Sequence, residues 1–329
     1  MRCPTLKELP PPKEKTGWPW TEESKQLPDQ MPDGRSWPRI TVVTPSFNQG
    51  QFLEETIRSI LLQGYPNLEY LVLDGASTDN SVEIIKKYDP WISYWVSERD
   101  SGQSDAINRG LQMGSGLFAT WINSDDMLEK EALFNHGMKA ELNESEVYVG
   151  LCTYTDELGS PKFTRTPRVH SLNDLLSVGT VWRAGGNIVQ PEVLFPRSLF
   201  FAVGGLNKEN HYTMDYELWG KFFLAKIPFR YTGISFARAR LHSQQKTADG
   251  YTVTRAMLAT AAKLVEDDPT LPKEKKEEYH EELRLYWDTW VKTSWKGTGR
   301  LANLGLPTTI VILLRKVTAK LKKALIFPR

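Results

Sequence analysis

The chain has 329 residues, 40% hydrophobic and 25% charged, with a formal net charge of +1. That is the composition of an ordinary globular protein with room for one large core or two modest ones, and not of a whole-chain nucleic-acid binder. Its two cysteines, Cys3 and Cys152, are far apart and in unlike contexts, so no disulfide framework is indicated and a reducing cytoplasm is the simpler expectation.

No run of about 18 apolar residues predicts a transmembrane helix, and the first residues lack the apolar stretch of a secretion signal. Residues 1–37 are rich in proline and charge and read as an extended arm, packed on the surface or disordered. From residue 38 the pattern changes. Ile40 to Thr44 is a β-branched run that predicts a buried strand, stopped by Pro45. Phe52, Leu53, Ile57, Ile60 and Leu61 follow at helical spacing. Tyr70 to Leu73 predicts a second strand, Asn80 or Ser81 a cap for the next helix, Ile92 to Val96 a third strand, Ala106 to Met113 a helix and Phe118 to Ile122 a fourth strand. Such alternation predicts parallel βαβ units, and each polar cluster falls where a strand ends, the ligand-binding edge of open α/β sheets.

Residues 147–245 read as mixed, with strands at Val147 to Leu151 and Ile234 to Leu241 and a helix over Tyr216 to Leu224. Residues 246–329 predict a helical extension: helices over 251–267 and 273–296, and a last one from Pro307 with Ile310, Leu313, Leu314, Val317, Leu321 and Leu325 on one face. After Asp288 the chain has no acidic residue and many basic ones.

Three polar clusters carry chemistry. Asn123-Ser124-Asp125-Asp126 ends the fourth predicted strand; carboxylates there suit a hard divalent cation that neutralises a departing diphosphate, although a plain acidic turn has the same composition. Asp74-Gly75-Ala76-Ser77-Thr78-Asp79 ends the second, where an aspartate can accept hydrogen bonds from a base or ribose, or simply shape a βα turn. Asp215 opens a predicted helix, as a residue favoured by the helix dipole or as a general base for a hydroxyl acceptor. Phe47 is placed to lean on a nucleobase or to enter the core. Neither G-x-G-x-x-G nor G-x-x-x-x-G-K-[ST] is present, which removes the main support for dehydrogenase and P-loop readings.

Taken in order, Thr44 to Asn48, Asp74 to Asp79, Ser97 to Gly102, Asn123 to Asp126, Gln190-Pro191-Glu192, Val203 to Leu206 and Met214 to Trp219 resemble the family 2 glycosyltransferases, over roughly residues 38–245. The resemblance implies an α/β, GT-A, Rossmann-like nucleotide-binding domain with a mixed central sheet. Residues 38–126 would form its nucleotide-binding half and 127–245 its acceptor half. It implies transfer of a sugar from a nucleotide-diphosphate sugar, commonly UDP-linked, to an acceptor hydroxyl with inversion, in the synthesis of cell-surface polysaccharide or glycolipid. Thr44, Pro45 and Phe47 would line the nucleotide pocket, Asp74 would bind the base, and Ser77 and Asp100 would lie near the nucleotide or sugar. Asp125 would be the metal ligand for Mg²⁺ or Mn²⁺, and Asp215 the base. The first position of the family's DXD motif is Asn123, which can hydrogen-bond a ribose or coordinate through its oxygen but brings no charge; the expectation is either a lower metal affinity or compensation by Asp126. His242, after the last predicted strand, is a further candidate for the metal or diphosphate, or a lone surface histidine.

The basic tail reads either as a peripheral contact with the inner face of a membrane, useful to an enzyme with lipid-linked saccharide acceptors, or as a helix docked on the domain. Two rivals to a glycosyltransferase are a nucleotidyltransferase, which lacks its phosphate loop here, and a non-catalytic binding protein, favoured only by Asn123.

Overall fold

A computed structural model describes residues 2–12, 14–139 and 142–291. The first half alternates as its sequence predicts: β1 (Ile40–Ser46), α1 (Gly50–Leu61), β2 (Leu68–Asp74), α2 (Ser81–Lys87), β3 (Tyr94–Ser97), α3 (Gln103–Met113) and β4 (Phe118–Trp121). The second half runs β5 (Met127–Leu128), α4 (Ala132–Lys139), β6 (Val147–Thr155), β7 (Pro161–Arg165), α5 (Leu172–Leu176), β8 (Val193–Pro196), α6 (Arg197–Ala202), α7 (Met214–Leu224) and β9 (Phe229–Arg240). It closes with α8 (Gly250–Asp267) and α9 (Lys273–Tyr286).

The strands form one mixed sheet in the order β3-β2-β1-β4-β8-β6-β9-β5, with β7 added to β6. β3, β2, β1 and β4 are parallel. β8 then enters antiparallel to β4 and to β6, while β6 and β9 run parallel. β1 and β2 are buried at every residue because helices cover both faces of a parallel sheet. Strand alternation divides the core accordingly. Val43 and Leu73 face one cluster with α3, α7, α8 and α9, and Ile40, Val42 and Val72 face another with α1 and α2. α3 sits so close to the sheet that a Cβ at Gly110 would stand 2.6 Å from side-chain carbons of Val43 and Leu73.

The proline-rich arm packs, and does so deeply. Cys3, Leu9, Trp20, Leu27 and Trp37 are buried. Arg58 of α1, itself fully buried, holds the arm by donating to the carbonyls of Pro10, Pro19 and Trp20 at 2.9–3.1 Å. Cys3 and Cys152 are buried free thiols.

Several boundaries differ from those expected. The third strand begins at Tyr94, because Asp89–Trp91 forms a turn of 3₁₀ helix that delays it. Asp79, not Asn80 or Ser81, meets the open end of α2, accepting from Ser81 N at 3.0 Å. α9 stops at Tyr286, and Trp287–Val291 continues with wider, π-type winding. The helix expected from Pro307 lies outside the described residues. Among the described residues no helix is long and apolar enough to cross a membrane.

Candidate active site

The C-terminal ends of β1, β2 and β4 open on one edge of the sheet. At the end of β2, Asp74 is almost fully buried and its carboxylate is occupied: Oδ1 accepts from Ser77 Oγ at 2.5 Å, and Oδ2 from Ser77 N at 2.9 Å and Ser97 Oγ at 2.6 Å. It therefore ties the loop after β2 to the end of β3. Ser77 Oγ in turn accepts from Asn48 N, and Asn48 Oδ1 accepts from Thr78 N, both at 2.8 Å. These bonds hold Asn48 in the left-handed region at φ 51° and lift Phe47 out of the protein. Phe47 is 60% exposed, so it is not core. Thr44 and Pro45, by contrast, are buried within β1. Across Gly75, a Cβ would meet Asp100 Oδ2 at 3.2 Å and the Phe47 ring at 3.4 Å. Glycine thus leaves a slot bounded by Phe47 and Asp100, whose Oδ1 accepts from Gly102 N at 2.8 Å.

At the end of β4 the residues divide sharply. Asp126 is buried; its Oδ1 accepts from Arg240 N at 3.0 Å and its Oδ2 from Asn123 Nδ2 at 3.2 Å. Burial, and then the neighbouring Asp125 charge, push its pKa well above the usual carboxylate range. With both oxygens engaged it is an internal anchor, not the outward-facing compensation expected for Asn123. Asp125 keeps 20% of its side chain exposed, and its Oδ2 stands 3.0 Å from Nε2 of His242, which is 1% exposed. His242 is thus not a lone surface histidine. The turn carrying Asp125 is clamped by Arg240, whose guanidinium donates to Asp125 O at 3.0 Å, Glu157 O at 2.8 Å and the Glu55 carboxylate at 2.6 Å.

Asn123 sits in a network of amides. Its Oδ1 accepts from Gln103 Nε2 at 2.7 Å, and its Nδ2 also donates to Gln190 Oε1 at 3.3 Å. Gln103 Oε1 accepts from Lys246 Nζ at 3.3 Å. The next residue of α3, Ser104, donates to Met214 Sδ at 2.8 Å, so the first turn of α3 joins the β4 turn to the start of α7. There Asp215 is half-buried, and its Oδ1 accepts from Tyr216 N at 2.8 Å. Burial raises its pKa, against a smaller opposing pull from the Lys246 charge.

Arg240, Gln103 and Lys246 were not singled out from the sequence. Arg240 leaves a trace there: Arg238 and Arg240 alternate with Ala237 and Ala239, a period-two placement of inward charges that asks for carboxylate partners. No local pattern marks Gln103 or Lys246.

Among the described residues no three His, Cys, Asp or Glu side chains gather into a ready-made metal cage. Mg²⁺ and Mn²⁺ in nucleotide sites do not need one, since one or two protein groups and the phosphate oxygens complete the shell. Asp125 Oδ2 is the oxygen such a shell takes from the protein, and His242 Nε2, hydrogen-bonded to it at 3.0 Å, adds a nitrogen that suits Mn²⁺ better than Mg²⁺.

Residues 41–197 match the model of the family described as glycosyl transferase family 2. An uncharacterised glycosyltransferase of Rickettsia prowazekii is 26% identical over 214 residues, which are 64% of this chain and 66% of that one. A Bacillus subtilis protein, provisionally named a teichuronic acid biosynthesis glycosyltransferase, is 33% identical over 99 residues, 29% of this chain and 39% of its own. Another Rickettsia relative, from R. conorii, is matched over only 34% of its length, so the chain spans between about a third and two thirds of these curated relatives. Among solved structures, residues 1–349 of S. aureus TarS in complex with UDP-GlcNAc superpose with a TM-score of 0.56 at 15% identity, covering 78% of this chain and 74% of that one. A mannosyltransferase from Pyrobaculum calidifontis, in complex with GDP-Man and Mn²⁺, gives 0.56 at 19% identity over 91% of this chain and 84% of that one. The sheet is the mixed sheet of the GT-A fold, and residues 41–197, a little under half of the chain, are similar to the family 2 glycosyltransferases.

Proposed function

We propose that the protein transfers one sugar from a nucleotide-diphosphate sugar, UDP-linked, to an acceptor hydroxyl with inversion, in polysaccharide or glycolipid assembly. The observation that carries this reading is the joining of two chemistries at one sheet edge. The turn that carries Asp125 and the start of α7 that carries Asp215 are tied together through Asn123, Gln103, Ser104 and Met214, with His242 beside Asp125.

The nucleotide would lie over the loops after β1 and β2, its base against the exposed face of Phe47 and its ribose or sugar beside Asp100 and Gly75. Asp74 and Ser77 shape that floor through their mutual hydrogen bonds. Asp125 and His242 would hold a divalent cation, which when bound supplies positive charge to the departing diphosphate. Asp126 and Arg240 keep the Asp125 turn in place. Asp215 would take the acceptor's proton on Oδ2, to which no group among the described residues donates. A carboxylate with a raised pKa is the stronger base; as it takes the hydroxyl proton, the acceptor oxygen would bond to the anomeric carbon on the face opposite the departing diphosphate, which gives inversion.

The test is release of nucleoside diphosphate from a panel of UDP-, GDP- and dTDP-sugars with Mn²⁺, by the parent and by Asp215→Asn. Release by the parent with strong loss in the variant supports the reading. Undiminished turnover by the variant removes Asp215 as the base, and an unchanged anomeric configuration in the product removes inversion. The basic tail lies outside the described residues; liposome co-sedimentation of the chain ended at Lys296, against the full chain, separates a membrane contact from a docked helix.

A further inference from the structure

We propose that Lys246 is a second cationic contact for the donor's diphosphate, on the side of the cleft occupied by Asn123 and Gln103. The inference rests on the reading of this cleft as a nucleotide-sugar site.

Three observations lead there. First, the DXD position that would carry a carboxylate is Asn123. Its amide oxygen accepts from Gln103 and its amide nitrogen donates to Asp126 and Gln190, so Asn123 brings this corner no charge and is held by three neighbouring side chains. Secondly, the positive group that reaches the corner is under-used. Lys246 Nζ donates to the neutral Gln103 carbonyl at 3.3 Å and stands 5.8 Å from the Tyr212 ring centroid. Among the described residues no carboxylate lies within ion-pair distance of it. An ammonium has three donors, and one neutral acceptor leaves it short of counter-charge. The residue stays open to solvent along its chain, while crowding at the ammonium lowers its pKa and the Asp215 charge pulls it back up.

Thirdly, the backbone delivers it deliberately. β9 ends at Arg240, which clamps the Asp125 turn, and His242 follows beside Asp125. The chain is then pinned to α1 by Gln51 Nε2 donating to Gln244 Oε1 at 3.2 Å before a 3₁₀ turn begins at Lys246. One short segment therefore brings the imidazole and the ammonium to the same mouth. A lysine serves phosphate as a mobile point charge, needing no fixed fork of donors.

The experiment is calorimetric titration of the full chain with UDP and GDP in the presence of Mn²⁺, and with uridine, which has the base and ribose but no phosphate. Lys246→Met is expected to weaken UDP binding about tenfold or more, the range for losing a charged hydrogen bond, with uridine binding unchanged. Lys246→Arg is expected to stay within about threefold of the parent, since it keeps the charge. Lys246→Gln, which can still bond Gln103, is expected to behave as the methionine variant does, showing that charge and not the Gln103 contact is what UDP reads. UDP affinity equal to the parent in Lys246→Met overturns the proposal. So does equal loss of uridine and UDP, which would mark a structural role. A parent that binds neither UDP nor GDP overturns the donor reading and this inference with it, whereas Asp215→Asn turning over normally overturns only the base.

Discussion

His242 Nε2 stands 3.0 Å from Asp125 Oδ2, joining the segment after β9 to the turn after β4. The imidazole is sealed from solvent on its other sides, with its ring tilted on Phe52 at 4.7 Å between centroids. Asp125 keeps an exposed edge. A side chain fixed this way can meet a cation arriving with the donor without a change of backbone.

If the pair holds the cation, His242→Ala should raise the Mn²⁺ concentration needed for half-maximal turnover by about 10–100-fold, the usual cost of disturbing a metal's surroundings. Asp125→Ala should cost more. Superimposable Mn²⁺ activation curves for parent and variants would falsify the assignment.

Asp215→Asn should lower kcat by about 10²–10⁴-fold, the contribution of a positioned general base, with a much smaller change in donor KM. The pH profile gives a second handle. The base acts deprotonated, so the rate falls as pH drops through its folded-state pKa. Because burial raises that pKa, the acid limb of kcat should lie above the ordinary carboxylate range near 4. A limb at or below that range counts against Asp215.

Asn123→Asp restores the family's charge at the DXD position, yet it should harm this protein. Asn123 Nδ2 faces two acceptors, Asp126 Oδ2 at 3.2 Å and Gln190 Oε1 at 3.3 Å. An aspartate would set oxygen against oxygen and a new charge beside a buried carboxyl. The expected loss is about 1–3 kcal/mol of stability, read from the denaturant midpoint, with no gain in Mn²⁺ affinity. A variant that is both as stable and tighter for Mn²⁺ would show that the amide network is dispensable.

Arg58→Met should free the proline-rich arm. Three carbonyls lose a charged donor at once, so a loss of about 3 kcal/mol or more is expected. Limited proteolysis should cut within residues 1–37 well before the rest of the chain. Parent-like protection of the arm would mean that its apolar contacts suffice.

Much of this was legible in residue order. Ile40 to Thr44, Tyr70 to Leu73 and Phe118 to Ile122 are continuous β-branched or apolar runs bounded by proline, glycine or acidic turns, and they became the parallel centre of the sheet. The polar clusters at their ends emerged on one edge, as strand direction requires. What stayed hidden depends on contacts distant in sequence. β5, β7 and β8 are two to five residues long and form only against partners supplied elsewhere, so no local period announces them. Nothing near Asp126 says that its carboxyl turns inward; Arg240 decides that. The arm's proline content suggested poor core-building capacity, but Leu9, Trp20, Leu27 and Trp37 are spaced to meet a surface that only the folded domain presents. Gln103 and Lys246 gain meaning only once α3 and the segment after β9 lie side by side.

The grip of Arg240 on the Asp125 carbonyl spans 115 positions of chain. During synthesis, the nucleotide-side half would leave the ribosome with its acidic turn unbraced and without His242 beside it. On the proposed reading, catalytic competence is therefore withheld until the late strand has joined the sheet, and a product terminated before it would keep the loops after β1 and β2 but lack the brace on Asp125 and the imidazole beside it.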